Sequence, residues 1–160
     1  MDASYITPFV ASIQNVFSTM LQLPVEIGEP TIKSNPHPEF DISGIIGMSG
    51  DVVGSVVLSF PTETAVSIVQ LFTGMEIDAE SDDFADAIGE LVNMVSGGAK
   101  AAFPDNKRVS ISCPSVVIGK GHRIAGQSDT PCVMIPCQTD CGEVVIEVAI
   151  KQVTAAAQAA

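Results

Sequence analysis

The chain has 160 residues, a formal net charge of −12 and a sequence pI of about 4.2. This balance argues against binding to nucleic-acid phosphates, which requires clustered Lys and Arg, and it gives no attraction to anionic membranes. The length predicts one domain, and 46% hydrophobic residues allow it a sizeable core. Because only 5% of the residues are aromatic, that core is expected to be aliphatic. No uncharged apolar run is long enough to span a membrane, and no Lys or Arg precedes Lys33, so a secretory signal is not predicted and a cytoplasmic location is expected.

The first half of the chain predicts a helix, a strand and a hairpin. Apolar residues at helical spacing over 8–22 indicate a first helix, which begins either after the capping residue Thr7 or one turn earlier. Residues 25–33 alternate loosely and suit a strand. Residues 40–60 form two β-rich arms around Ser49-Gly50-Asp51, which is typical of a hairpin.

The second half predicts two helices and three more strands. One helix is expected from Pro61 to a stop at Gly74. After an acidic connector, a third helix is expected from a cap at Ser81 or Asp82 to the end of the apolar pattern at Phe103. The remaining strands are predicted at about 109–118, 131–139 and 143–151, with a loop over 119–123.

This order of elements predicts an α+β fold. The chain shows no regular βαβ alternation, so a parallel, doubly wound sheet is not expected. We predict a mixed, largely antiparallel sheet of about six strands with three helices packed on it. Residues 1–153 form the single predicted domain, and 154–160 form a tail that is expected to be disordered.

The third predicted helix has two unlike faces. Its apolar stripe is formed by residues at helical spacing: Phe84, Ile88, Leu91, Val92, Val95, Ala99 and Ala102. The opposite face carries Asp86, Glu90, Asn93 and Gly97. Glycine costs roughly 1 kcal/mol relative to alanine in a helix interior. The glycines at 89, 97 and 98 therefore predict a bare outer face that another molecule approaches closely.

Other candidate sites are weaker. Cys132, Cys137 and Cys141 follow a C-x4-C-x3-C spacing that does not fit the usual zinc motifs, and Cys113 lies in an apolar run. A Cys-based redox or metal protein is therefore a distant alternative, and no metal site is expected. The Gly-Lys-Gly-His segment at 119–122 lacks the spacing of a phosphate-binding loop.

The segment from Asp86 to Phe103, DAIGELVNMVSGGAKAAF, resembles the D-x-x-x-E-x-x-N-M-x-x-G signature of the CheC/CheX/FliY phosphatases of bacterial chemotaxis. It occurs once, as in CheX-like members. The resemblance extends over nearly the whole chain and includes the GIIGMSGD hairpin, the P-T-E-T-A helix and the strand ISCPSVVIGKGH. It implies a CheC-like fold.

The resemblance also implies a reaction and a set of roles. The substrate would be a phospho-aspartate on a CheY-like response regulator, with Asn93 orienting the attacking water and Glu90 docking on the receiver's lysine. Asp86, Gly89, Met94 and Gly97 would contact the partner, while an acid such as Asp86 near the start of a helix is also typical of a charge that complements the helix dipole. The chain would need no cofactor of its own, because the receiver would supply the Mg²⁺.

The resemblance further implies a homodimer whose sheets join edge to edge, with Val52–Leu58 and Val144–Ile150 as candidate edges. Two alternatives keep the fold but not the chemistry. One is a module that binds a response regulator without hydrolysis, and the other is a scaffolding protein in a motor or receptor complex. In a scaffolding protein, Glu90 and Asn93 would be dispensable.

Overall fold

The structure is a computed structural model that describes residues 2–34, 37–127 and 129–153. Helix α1 spans Ala3–Val16 and continues as a π-helical turn over Phe17–Leu21. It has the earlier of the two starts that the sequence pattern allows, because Asp2 rather than Thr7 caps it: the Asp2 carboxylate accepts from Ser4 N at 2.9 Å. The predicted tail at 154–160 lies outside the described residues.

Within the described ranges, two more α-helices, α2 and α3, and eight strands complete the architecture. The helices are α2, Thr62–Thr73, and α3, Asp82–Ala101, and a short 3-10 turn follows at Pro104–Asn106. The strands are β1 Glu26–Ile27, β2 Thr31–Ile32, β3 Phe40–Gly50, β4 Val52–Phe60, β5 Val109–Ile111, β6 Ser115–His122, β7 Val133–Thr139 and β8 Gly142–Gln152. The predicted hairpin and the stop at Gly74 (φ 74°) are confirmed.

All strands belong to one sheet in the order β1-β7-β8-β4-β3-β5, with β2 paired to β7 and β6 paired to β3. Every pairing is antiparallel, which confirms the predicted α+β class. The count is eight rather than six because the predicted strands at 25–33 and 109–118 each divide into two. The predicted loop at 119–123 is wrong in part, because pairing with the long β3 carries β6 through to His122.

The two valine-rich segments that were candidates for a dimer edge are interior strands. β4 pairs with both β3 and β8, and β8 pairs with both β4 and β7. Their backbone hydrogen bonds are therefore satisfied within the chain, and that prediction is wrong. Among the described strands, the free edges belong to β5 and β6 on one side and to the short β1 and β2 on the other.

The three helices cover one face of the sheet and enclose the core. Side chains from alternate positions of β3, β4 and β8 point into it, together with the apolar stripe of α3. Gly44 of β3 allows a close approach of α3, since a Cβ at this position would lie 3.0 Å from Cγ1 of Val92. This contact fixes α3 on the sheet and leaves its other face outward.

The opposite face of the sheet holds a polar layer under the segments before β3 and after β6. Glu147 of β8 and Lys33 form a buried ion pair with Nζ–Oε2 2.9 Å, and Lys33 Nζ also donates to the carbonyl of Ile124. Burial raises the pKa of the neighbouring Cys132 thiol to about 11, and the Glu147 carboxylate adds to that increase. These groups hold the covering segments against the face of the sheet opposite α3.

Candidate functional site

Helix α3 is a well-capped helix whose polar face is available for chemistry. The hydroxyl of Ser81 accepts from Phe84 N at 3.3 Å, so Ser81 is the cap. Asp82 and Asp83 lie in the first turn and Lys100 in the last, where their charges complement the helix dipole. The predicted apolar stripe is buried from Phe84 to Ala99. The prediction for Ala102 is wrong, because the helix ends at Ala101 and Ala102 is its exposed C-cap.

Glu90 and Asn93 lie one turn apart on the outward face of α3. Glu90 is exposed and Asn93 is half-buried. Side chains three residues apart on a helix are neighbours, with Cβ atoms about 5–6 Å apart. Within the ranges that the structure describes, neither side chain forms a hydrogen bond or an ion pair. A carboxylate and a carboxamide thus lie side by side, and no group in the described part of the chain is bound to either of them. Asp86, also exposed, lies one turn before Glu90.

The three glycines of α3 have different surroundings, which corrects the prediction of a uniformly bare face. A Cβ on Gly97 would meet nothing within 4 Å, as predicted. Gly89 is buried instead, and a Cβ there would lie 3.1 Å from Cγ of Pro114. A Cβ on Gly98 would lie 2.5 Å from the hydroxyl oxygen of Ser12 in α1. Two of the glycines therefore serve helix packing, and only Gly97 opens the face itself.

A shallow groove runs beside Glu90, between α3 and the start of β6. It is lined by residues from both elements: Ala85, Asp86, Gly89, Glu90, Pro114 and Val116. The sequence pattern of α3 could not reveal Pro114 and Val116, because they are distant in the chain. Their only sequence signal is that they lie in the family-like segment ISCPSVVIGKGH. Met94 is half-buried and packs against the core, with part of its surface beside the same face.

Other arrangements in the molecule are structural. Ser43 Oγ and His122 Nε2 are 2.7 Å apart, a pairing that spacing alone did not predict. Ser43 is 0% exposed and also bonds Ser59 Oγ, and His122 Nδ1 lies 2.7 Å from Gly119 O. A buried hydroxyl in a satisfied network is not available to a substrate.

All four cysteines are free thiols. Among the described residues, no three His, Cys, Asp or Glu side chains form a group that could hold a metal ion. Likewise, none of the helices in the described ranges has both the length and the apolar composition that crossing a membrane requires.

Comparison with known proteins identifies the family. The model of the family described as chemotaxis phosphatase CheX matches residues 42–138, more than half of the chain. The CheY-P phosphatase CheX of Thermotoga maritima is 30% identical over 126 residues, which cover 78% of this chain and 81% of that protein. The chain therefore belongs to the CheX family of chemotaxis phosphatases and is a hydrolase.

Solved structures share the fold. A CheC-like superfamily protein from Shewanella sp. PV-4 is 33% identical and superposes with a TM-score of 0.86 over 94% of this chain and 99% of that one. The CheX chain in the CheX-CheY-BeF3-Mg²⁺ complex from Borrelia burgdorferi is 24% identical and gives a TM-score of 0.78 over 92% of this chain and 98% of that one. These likenesses confirm the predicted CheC-like fold.

Proposed function

We propose that this chain hydrolyses the phospho-aspartate of a CheY-like response regulator. The observation that carries the proposal is the pair of Glu90 and Asn93 on the outward face of α3, which has no partner among the described residues. The relative in Thermotoga maritima is named a CheY-P phosphatase, and the Borrelia burgdorferi structure is a complex with CheY, BeF3 and Mg²⁺. Both names agree with a receiver domain as the partner.

In the proposed reaction, Asn93 holds a water molecule in line with the phosphoryl group. The bond from water oxygen to phosphorus forms as the bond from phosphorus to the aspartyl oxygen breaks, which releases phosphate and restores the receiver carboxylate. Phosphoryl transfer depends mainly on positioning and charge neutralisation, and an amide can orient water without acting as a strong base. In this proposal the Mg²⁺ belongs to the receiver.

Glu90 is assigned the docking role. Its exposed carboxylate would pair with the receiver's lysine and set the register that brings Asn93 to the phosphoryl group. Asp86 and Met94 lie on either side of this pair and contribute contacts to the partner, while Gly97 leaves room beside Asn93. Gly89 acts through the groove, because its missing side chain lets Pro114 pack against α3. We place the reaction in the cytoplasm.

The test is phosphate release from a phosphorylated CheY-like receiver. Wild type should accelerate the decay, and Asn93→Ala should reduce the acceleration by at least about 100-fold, the scale of a lost positioning group. Asn15→Ala is the matched control, because Asn15 is an exposed helical asparagine on α1. If wild type binds the receiver but leaves its decay rate unchanged, the protein is a binding or scaffolding module and the proposal is wrong.

The homodimer is also part of this proposal. Strand β6 has an open edge in the described structure, and Ile118 within it is 42% exposed. Pairing of two β6 strands about a two-fold axis would cover that edge. Light scattering of wild type should give twice the monomer mass, and Ile118→Lys should shift it toward monomer. A monomeric wild type at micromolar concentration would contradict the dimer.

A further inference from the structure

Only some of the positively charged side chains of this acidic chain form ion pairs within the described ranges. The sequence holds seven Lys and Arg residues against nineteen Asp and Glu. Three of the seven form ion pairs with carboxylates: Lys33 with Glu147, Arg123 with Glu39 and Lys151 with Asp129. The other four make no ion pair within the described ranges. Three of those four, Lys100, Lys107 and Arg108, lie close together in the chain.

These three cations line one shallow depression between the end of α3 and strand β5, together with Asn106 and Ser110. The segment that carries them is anchored, since Lys100 Nζ donates to Val109 O at 3.0 Å and Arg108 N donates to a carboxylate oxygen of Asp51 at 2.7 Å.

Carboxylates adjoin this cluster as well: Asp51 accepts from Arg108 N, Asp105 precedes Lys107 in the chain, and Asp2 lies, like both of them, near Tyr5. The cluster nevertheless gathers three of the seven cations of a chain that carries −12, so it is far less acidic than the molecule as a whole.

The depression and the groove beside Glu90 lie along the same seam. Gly89 of α3 is next to Pro114, and Lys100 of α3 is next to Val109, so the helix runs antiparallel to the β5–β6 segment. At a rise of about 1.5 Å per residue, Lys100 lies about 10 Å along the helix axis from Asn93. A standard interface buries about 800 Å² per partner, a patch roughly 30 Å across. One partner that covers Glu90 and Asn93 would reach the cations as well.

Folding accounts for only part of this cluster. Lys100 complements the C-terminal end of the helix dipole and bonds a carbonyl. Lys107 and Arg108 follow the helix, outside its last turn. Arg108 is exposed and Lys107 half-buried, and neither side chain has a hydrogen bond or an ion pair in the described ranges. Their charges therefore remain available to another molecule.

We infer that Lys107 and Arg108, with Lys100, form the second half of the docking surface for the phosphorylated receiver and bind an acidic patch beside its phosphoryl group. The inference rests on the proposed function. Along α3 the charge runs from the carboxylates of Asp86 and Glu90, past Asn93, to the cations. A receiver that presents its lysine to Glu90 and its phosphoryl anion to Asn93 carries the opposite charges in the same order along the helix. The cations therefore fix the direction in which the receiver docks and raise its association rate.

The test compares two double variants that change the net charge equally. Lys107→Ala/Arg108→Ala removes the docking cations, and Arg123→Ala/Lys151→Ala removes two exposed cations that are paired elsewhere. With phosphorylated receiver at low ionic strength, the first should lower kcat/KM about tenfold, leave kcat unchanged and weaken the dependence on salt. The second should stay near wild type. Circular-dichroism melting establishes that both variants are folded.

Equal effects of the two double variants would show that only total charge matters, and this would overturn the inference. An unchanged kcat/KM in the first variant would overturn it too. Affinity for a receiver activated with beryllofluoride and Mg²⁺ separates this inference from the proposed function. If wild type binds that receiver through Lys107 and Arg108 but releases no phosphate, the docking surface stands and the phosphatase proposal fails.

Discussion

Pro114 lies against Gly89 so closely that a Cβ on Gly89 would be 3.1 Å from the Pro114 Cγ. The two residues are 25 positions apart in the chain, and their contact fixes how near α3 lies to the start of β6. The groove beside Glu90 exists because of this approach. The contact between Gly89 and Pro114 therefore sets the distance between α3 and β6 at the candidate site.

The different surroundings of Gly89 and Gly97 predict opposite effects on stability when each is replaced by leucine. Gly89→Leu should lower the free energy of unfolding by about 1–3 kcal/mol, because the added side chain overpacks the space held by Pro114. Gly97→Leu should raise it by roughly 0.8 kcal/mol, because Gly97 faces open space and leucine is a better helix former. The same variant should lose phosphatase activity, since the side chain would stand beside Asn93.

Urea unfolding and phosphate release measure both effects. Gly97→Ala is the milder control, which should gain stability and lose less activity than Gly97→Leu. A marked loss of stability in Gly97→Leu would mean that this face is packed.

Charge reversal at Glu90 should greatly weaken docking. Glu90→Lys would place two cations opposite each other, so the dissociation constant for the phosphorylated receiver should rise at least about tenfold. Folding should be unaffected because Glu90 is exposed and unpartnered in the described ranges. Titration calorimetry measures the affinity, with Glu143→Lys on β8 as a control of equal charge change. Unchanged affinity in Glu90→Lys would contradict the docking role.

Asp41 caps α2 from a neighbouring strand and predicts a pH-dependent contribution to stability. The cap residue Pro61 offers no side-chain acceptor, and Asp41 Oδ2 accepts from Thr62 N at 3.0 Å and from Thr62 Oγ1 at 3.1 Å. The bond from Thr62 N holds the pKa of Asp41 below its usual value of 3.8, against the opposing effect of burial. The folded-state pKa is thus below the unfolded one, so the contribution is present above pH 3.8 and is lost as the pH falls through the folded-state pKa.

Asp41→Ala should therefore cost about 1 kcal/mol at neutral pH, as for other lost helix caps. The difference from wild type should shrink in urea unfolding below pH 3.8. Glu76→Ala, at an exposed position in the connector after α2, should show no such trend. A difference that stayed constant down to acidic pH would assign the effect to packing rather than to the charged cap.

The cysteines should differ sharply in reactivity. Burial raises the pKa of Cys132 and of Cys137 to about 11, so both thiols stay protonated at neutral pH, and the thiolate is the reactive form. Cys113 is exposed. Iodoacetamide should modify Cys113 first in the folded protein and all four cysteines in urea, as measured by intact mass and peptide mapping. Equal modification rates at Cys113 and Cys132 in the folded protein would contradict this order and would favour the alternative of a Cys-based redox protein.

Local sequence determined much of this protein. The helical period of α3, its cap at Ser81, the αL stop at Gly74 and the β3–β4 hairpin depend on residues within a few positions of one another. The pairing of Glu90 with Asn93 on one outward face follows from the same period. Their catalytic and docking roles stay predictions, because they depend on a second molecule.

Tertiary structure decided the long-range contacts and the strand order, which local periodicity does not predict. Only the packed chain places Pro114 against Gly89, joins Ser43 to His122 and puts β4 and β8 inside the sheet. The physical reason is that each of these contacts joins residues far apart in sequence, and strand order is set by pairing and burial across the whole sheet. For the same reason, the sequence showed a bare helix face, and only the structure showed which glycine is open and which two are packed.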